Sequence, residues 1–584
     1  MGSLILGLNA YHGDSSACLV ADGRLIAAAE EERFRRIKHW AGFPTEAIKY
    51  CVGAAGVTVA DLDVVAINQD AGANFWRKLR YTALHHPSPF LVFDRIKNKS
   101  KRATVAEGLE RAFPGQKVRA EVRHVEHHFA HLVSAFLVSP FKDATVLSVD
   151  GFGDFASAAW GLGHSGHIEL ENKVYFPHSL GILYQALTQY LGFHKYGDEY
   201  KVMGLAPYGR PRHLEAMRQI VRLQNDGSFK LNLSFFRHHK EKIDYEWENG
   251  EPTVGILFSE ALVDLLGPPR SKGEDLAQRH RDIAHSLQAM YEEAFFHLLN
   301  RLFERHALDT LALAGGCAMN SVANGKIYRH TPFRSLYIQS AAGDAGGAIG
   351  AAFAVVAERG LSQKPFQMDH AYWGPEFDDH DIAMLLHREK EAFDGEHCNV
   401  RRMEDEGELV QIVAQGIKQG LVTGWFQSRM EWGPRALGNR SILADPRRAD
   451  MKEILNSKIK RRESFRPFAP SVLREHVADW FETDDDVPFM MQVYQIREER
   501  RASIPAVTHV DGSGRLQTVQ RHTNPRYYRL IEAFRKLTGV PMVLNTSFNE
   551  NEPVVCKPAE ALACFLRTKM DVLVLGDWVI RRNV

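Results

Sequence analysis

Leu4-Ile5-Leu6-Gly7-Leu8-Asn9, a polar Gly-Asp loop, Ser16-Ala17-Cys18-Leu19-Val20-Ala21, then Asp22-Gly23 and a third apolar run open the chain. Short apolar runs bounded by turn residues read as strands, and Asp-Gly between two of them is a hairpin turn. The same order recurs after Ala144: a strand ending Val149-Asp150, the loop Gly151-Phe152-Gly153-Asp154, a strand through Ala156 to Leu162, a His164-Ser165-Gly166 turn and another strand. The first half therefore reads as a duplicated three-stranded β unit. Strand-turn-strand is a common pattern, so the reading leans on motifs farther along the chain.

Duplicated β-β-β units with interspersed helices resemble the actin/sugar-kinase/Hsp70 (ASKHA) superfold, which implies a nucleotide or phosphorylated ligand in the cleft between the halves. Further on, Leu311-Ala312-Leu313-Ala314 is a short apolar strand running into Gly315-Gly316, a pair that lets backbone approach a ligand closely. Ala341-Ala342-Gly343-Asp344-Ala345-Gly346-Gly347-Ala348 sets one carboxylate in a run of tiny residues that continues as a small-residue helix to Ala357. For these glycines, tight helix-strand packing is the plain alternative. Residues 359–375, with two prolines and many polar side chains, read as a linker to a second α/β domain.

Composition narrows the class. The chain has 584 residues, 45% hydrophobic and 25% charged, the balance of a globular protein with room for two to four domains. Lys+Arg and Asp+Glu both number 72, so no overall basic field is available to hold nucleic acid. The six cysteines are scattered without a C-x-x-C pair, which argues for thiols in a reducing compartment over disulfides or a zinc ribbon. No leader-like segment opens the sequence, and the longest uncharged stretch, around Tyr175 to His194, is too polar for a bilayer core. The expectation is a cytoplasmic protein with neither a nucleic-acid nor a membrane partner.

His127 and His131 stand four apart in a helix-compatible run, so both imidazoles project from one face and can grip one metal ion. Two histidines suit Zn, Fe, Co or Ni, and Asp150 and Asp344 complete a mixed N/O set; iron(II) is the preferred ion. With 27 histidines in the chain, chance also places some at this spacing. His128 reads as a packing residue. His12, two residues before Asp14 in the first loop, is a candidate general base with Asp14 orienting it. The run Glu30 to Arg36 reads as a solvated charged face. In the second domain, residues 433–441 and 460–467 gather Arg and Lys beside Gly and Pro, a pattern suited to polyphosphate; Arg515 and the loop 545–549 offer further donors.

Gly7-Leu8-Asn9 with His12 and Asp14, Glu31-Glu32-Arg33-Phe34, His127-x-x-x-His131, the run Lys201 to Gly209 and the segments 433–441, 465–470 and 545–549 occur in one order. Together they resemble the O-carbamoyltransferase family of antibiotic and nodulation-factor biosynthesis, over nearly the whole chain. The resemblance implies an α/β architecture: a duplicated ASKHA domain over 1–358 fused to a YrdC-like domain over 370–584. It implies that His127, His131, Asp150 and Asp344 bind iron, and that Arg435, Lys460, Arg466, Arg515, Asn545 and Ser547 hold Mg-ATP and carbamoyl phosphate. Gly315 and Gly316 would line the cofactor cleft, and His12 would assist the hydroxyl of a small natural-product acceptor. Family members often carry the histidine directly before the aspartate, whereas Gly13 intervenes here. A tRNA threonylcarbamoyladenosine-type enzyme shares both domain types, but the balanced charge speaks against an extended tRNA surface. A non-catalytic ASKHA nucleotide-binding protein would leave the second-domain cations without a purpose.

Overall fold

The computed structural model describes residues 3–85, 104–241, 243, 245–246, 250–361 and 366–583. The chain divides into two compact units, the first comprising 1–320 and 327–368, the second 321–326 and 369–584.

In the first unit, β1 (Leu4–Asn9), β2 (Ser16–Ala21) and β3 (Arg24–Glu30) form an antiparallel meander, with Asp22 and Gly23 both at positive φ in the turn. β4 (Val64–Ile67) adds parallel to β1 and β5 (Glu121–His124) parallel to β4, giving the order β3-β2-β1-β4-β5. The second copy repeats it strand for strand. β6 (Asp143–Gly153), β7 (Ala156–His164) and β8 (His167–Tyr175) form the meander, and β9 (Thr310–Ala314) and β10 (Ser335–Ile338) extend it in parallel on the far side of β6. The order β8-β7-β6-β9-β10 matches the first sheet, so the duplication read from the strand runs is a duplication of topology.

Helices packed on these two sheets carry or support the functional residues. α1 (Thr45–Ala54) packs its Ala47, Ile48, Cys51 and Val52 into one core with Leu6, Leu8 and Leu19. α2 (Phe75–His85) leaves the first sheet after β4. α3 (His127–Phe136) starts at Glu126, whose carboxylate accepts the Phe129 N–H at 2.8 Å. α4 (Gly347–Glu358) is almost all Gly, Ala and Val and crosses α3 closely. A Cβ at Gly350 would lie 1.8 Å from the Ala130 carbonyl oxygen, so the small-residue run is the packing device that its composition suggests.

The charged run after β3 departs from expectation. Glu30, Glu31, Glu32 and Arg33 are buried, not solvated. Arg33 bridges Glu30 and Glu32 at 2.6 and 2.7 Å. Glu31 accepts the Glu46 and Ala47 N–H groups, satisfying the open donors at the start of α1. The stretch read as a linker is also partly structural. The Met368 N–H donates to the Val138 carbonyl and the Met368 carbonyl accepts the Tyr337 hydroxyl, so 366–368 belongs to the first unit; 362–365 lies outside the described residues.

The second unit is built on one nine-stranded mixed sheet. Its strands are β11 (Cys398–Arg402), β12 (Thr423–Phe426), β13 (Arg440–Ala444), β14 (Ala469–Leu473), β15 (Gln492–Gln495), β16 (Ser513–Val519), β17 (Met542–Ser547), β18 (Val572–Leu575) and β19 (Trp578–Arg582), in the order β11-β19-β18-β12-β13-β17-β14-β16-β15. Helices α5 (Glu406–Lys418) and α6 (Pro525–Thr538) pack on each other and on this sheet.

Candidate functional site

In the first unit, His127 and His131 do share one face of α3, and the strand end of β6 and the turn before α4 bring Asp150 and Asp344 to them. The two Nε2 atoms are 3.1 Å apart. Asp150 Oδ2 lies 2.9 Å from His131 Nε2 and 3.5 Å from His127 Nε2, while Asp344 Oδ1 lies 3.8 and 3.6 Å from the same atoms. All four donor atoms fall within 4.8 Å of one another. Ligands held at about 2.1 Å from one ion sit roughly 3.0–3.4 Å apart in octahedral or tetrahedral geometry, so this spacing fits a first-row divalent cation.

The electrostatics point the same way. Burial opposes charge on His127, yet the Asp150 and Asp344 carboxylates overcome it and lift the imidazole to about 9; His131 is raised by the same pair. Burial likewise opposes ionisation of Asp150, and the imidazoles overcome it, holding the carboxyl well below its usual range. Two protonated rings cannot face each other with their Nε2 atoms 3.1 Å apart. A divalent cation with neutral imidazoles resolves that conflict, since both Nε2 atoms and Asp150 Oδ2 would then face it as lone-pair donors. The donor set fits the metal that the resemblance implies.

Neighbouring residues are arranged around this quartet. Gly153 is required by close approach, because a Cβ there would lie 2.1 Å from the His127 ring. Gly315 has φ +90° and its Cβ would meet the Val149 carbonyl at 2.3 Å; a Cβ on Gly316 would lie 2.8 Å from Asp150 Oδ1. The glycine pair thus clears the strand end that carries Asp150. His128 turns away, its Nδ1 2.6 Å from Ser148 Oγ, and burial pushes its pKa down to about 3. The His12 ring lies 6.2 Å from that of His127, beside the quartet. Asp14, expected to orient His12, is engaged by His39 Nδ1 at 2.7 Å; Asp14 and Glu32 hold His39 raised to about 9 against its burial. The inserted Gly13 has a local reason: a Cβ there would come within 2.9 Å of the Tyr196 hydroxyl. Sequence reasoning misses His39, Glu32 and Tyr196 as neighbours of the site, since a charged run and a loop tyrosine carry no pattern of their own.

The second unit gathers cations. Arg515 on β16 is flanked by Arg435, Arg462 and Arg466; burial first, then these guanidiniums, press its pKa well below the ordinary value. Its Nε is buried without a hydrogen-bond partner among the described residues. Arg515 and Gln517 share a strand face, and Gln517 Oε1 accepts Asn545 Nδ2 at 3.0 Å, which brings Asn545 and Ser547 of β17 to the same side. Lys460 is buried and its Nζ donates to Ser547 O at 2.5 Å and to Asn549 O and Oδ1 at 2.8 and 2.7 Å, so it anchors the strand end beside the cluster. Arg440, counted among the cations of 433–441, is fully buried: it serves the carbonyls of Gln427, Asn439 and Pro375 and stacks 3.7 Å from the Phe426 ring centre. Glu431 shapes that loop, its Oε1 accepting the N–H groups of Leu437, Asn439 and Arg440. Arg462, of the basic run 460–467, joins the cluster too; Gln517 and His509 join it unforeseen, being single polar residues in strand or turn sequence.

The chain is thus a mixed α/β protein with a donor set that fits a divalent cation in one unit and a cluster of guanidiniums suited to an anionic ligand in the other. Two family models match it, the carbamoyltransferase N-terminus over residues 4–353 and the carbamoyltransferase C-terminus over 414–582. The chain belongs to the carbamoyltransferase family and is a carbamoyltransferase. It is 40% identical to an uncharacterised protein of Synechocystis, over 99% of this chain and 97% of the other. It is 39% identical to the nodulation protein NolNO of Sinorhizobium fredii over 98% and 80% of the two chains. With nodulation protein NolO of Bradyrhizobium diazoefficiens it shares 40% over 79% of each. Among solved structures the likeness is loose: HypF of T. kodakarensis gives a TM-score of 0.31 at 15% identity, covering 62% of this chain and 48% of that one. Among the described residues no helix is long and apolar enough to cross a membrane.

Proposed function

We propose that the protein is an ATP-dependent O-carbamoyltransferase acting on a hydroxyl of a small natural product, its first unit an ASKHA-type transfer domain and its second a YrdC-like activating domain. The observation that carries this reading is the pair of oppositely charged sites, one in each unit: imidazoles and carboxylates suited to a cation in the first, clustered guanidiniums suited to polyphosphate in the second.

In the second unit, Arg435, Arg466 and Arg515 hold carbamoyl phosphate and Mg-ATP, offsetting their charge as planar donors. Lys460 fixes the strand end that presents Asn545 and Ser547. Hydrolysis of carbamoyl phosphate releases phosphate and carbamate. The carbamate oxygen attacks the α-phosphorus of ATP, pyrophosphate leaves, and a carbamoyl-adenylate forms. The physical logic is that carbamate is unreactive toward alcohols until it has a good leaving group, and that this anhydride survives only where water is excluded. In the first unit, His127, His131, Asp150 and Asp344 would hold iron(II) or a similar ion, which would supply Lewis-acid polarisation. His12 takes the proton of the acceptor hydroxyl as its oxygen attacks the carbamoyl carbon, and AMP departs. The repeated strand order of the first unit supports the ASKHA reading, and the glycine pair beside Asp150 supports a ligand close to backbone.

The test separates the two half-reactions. With ATP and carbamoyl phosphate, Arg515→Ala and Arg466→Ala are expected to lose pyrophosphate release, whereas His12→Asn keeps it and loses only carbamoyl transfer, by about a hundredfold or more. Loss of the same step in both kinds of variant refutes the division of labour.

A further inference from the structure

α2 is an amphipathic helix turned inside out. Its tyrosine side faces the protein: Tyr81 packs edge-on against Phe176 and Phe155, with ring centres 5.2 and 5.8 Å away, while the exposed Arg77 has its guanidinium 4.8 Å over the Tyr175 ring. Lys78 Nζ donates to the Ala71 carbonyl at 3.2 Å. Its apolar side faces out. Phe75, Trp76, Leu79 and Leu84 are 57, 77, 50 and 64% exposed, in a chain whose other large apolar residues are mostly buried. At 100° per residue, Phe75, Leu79, Ala83 and Trp76 fall on one stripe, with Arg80 and Leu84 along its border.

The charge of the helix names the surface that would cover this stripe. Its eleven residues hold Arg77, Lys78 and Arg80 and no acid, although the whole chain is balanced at 72 positive and 72 negative residues. Arg80 is exposed and has no carboxylate partner among the described residues. Exposed Trp, Phe and Leu on one face with Arg and Lys at the border is the composition that lies in the headgroup region of an anionic bilayer, indoles and apolar side chains inward, cations at the phosphates. Lys78 is turned to the Ala71 carbonyl, which leaves Arg77 and Arg80 as the exposed cations of a helix that carries no acid.

The helix is also tied to the metal quartet. Asp154 Oδ2 accepts both the Asp70 N–H and the His127 N–H, at 2.8 and 2.9 Å, and the Asp154 carbonyl accepts Asn74 Nδ2 at 2.8 Å, one residue before α2 begins. We propose that the outward face of α2 docks the first unit reversibly on an anionic lipid surface, setting the quartet beside that surface. This goes beyond the catalytic reading and does not depend on it. The expectation of no membrane partner rests on the lack of a spanning segment, and a helix that lies on the surface needs none.

The experiment is flotation of the full chain with vesicles of phosphatidylcholine, with and without phosphatidylglycerol, at low and high salt. Binding is expected to the anionic vesicles alone and to weaken with salt. Arg80→Glu should lower it by roughly tenfold, and the double variant Trp76→Ser/Leu79→Ser by at least as much. Neither variant should change pyrophosphate release or carbamoyl transfer in free solution. The emission difference between wild type and Trp76→Phe, without vesicles, should be that of a water-exposed indole and should shift to the blue on binding. Equal binding by wild type and both variants, no binding to anionic vesicles, or a difference spectrum already buried in free solution (the face covered by residues 86–103 or by a second copy) would each overturn the proposal.

Discussion

At the scale of single residues, the quartet depends on a glycine that supplies no donor atom. His127 can stand where it does because Gly153, at the end of β6, has no side chain to occupy the volume of its ring. Gly153→Ala should displace the imidazole while leaving His131, Asp150 and Asp344 in place. The expected outcome is a fall of about tenfold or more in iron affinity, of the kind seen when support for a ligand is lost, with pyrophosphate release intact. Elemental analysis of the purified variant checks it; full metal content would mean the site does not rely on this packing. The four donors themselves are legible in the sequence because helix spacing is a local property, and because aspartates at a strand end and in a tiny-residue turn stand out. Gly153 is legible only as part of a loop: its role comes from a chain segment 26 positions away, and no local pattern carries that.

At the scale of elements, the turn from His509 to Ser513 that leads into β16 stores a pH dependence. His509 Nδ1 lies 3.1 Å from Ser513 Oγ, and the half-buried ring, its Nε2 shielded from solvent, stands beside Arg515 and Lys452. Burial first, then those two cations, outweigh Asp511 and push its pKa from 6.5 down to about 4. The unfolded chain therefore takes up a proton at a pH where the folded chain does not. The contribution is complete above about pH 6.5 and is lost as pH falls toward about 4. Over that window the loss is on the order of 2–3 kcal/mol, and His509→Gln should remove it. Urea unfolding of both proteins across the window checks this; parallel curves would show that His509 is not the group responsible. Elements differ in how far they can be read. β1, β2 and the two meander turns follow from apolar runs and turn chemistry, which act within a few residues. The Glu30 to Arg33 run misleads because charge counts in sequence do not show that Arg33 closes two ion pairs and Glu31 caps a helix that starts 14 residues later.

At the scale of the molecule, the repeat is legible as two copies of one strand pattern, and the topology shows why: β4 and β9 each enter parallel to the first strand of a meander. The membership of 321–326 in the second unit is not legible. Those six residues owe it to contacts such as Asn324 Nδ2 on the Met491 carbonyl at 3.0 Å, between positions 167 apart in the chain. The cation cluster reads from composition, but Arg440 shows the limit of that reading, since a guanidinium satisfied by three carbonyls inside the core looks the same in sequence as one aimed at phosphate. The central claim, that activation and transfer are separate chemistries in one polypeptide, meets its most direct test in pyrophosphate release by enzyme stripped with a chelator, freed of it, and given Mg-ATP, carbamoyl phosphate and no acceptor. Release should continue at close to the rate of the metal-loaded protein, while carbamoylation of an added acceptor stops; release that vanishes with the metal would contradict the account.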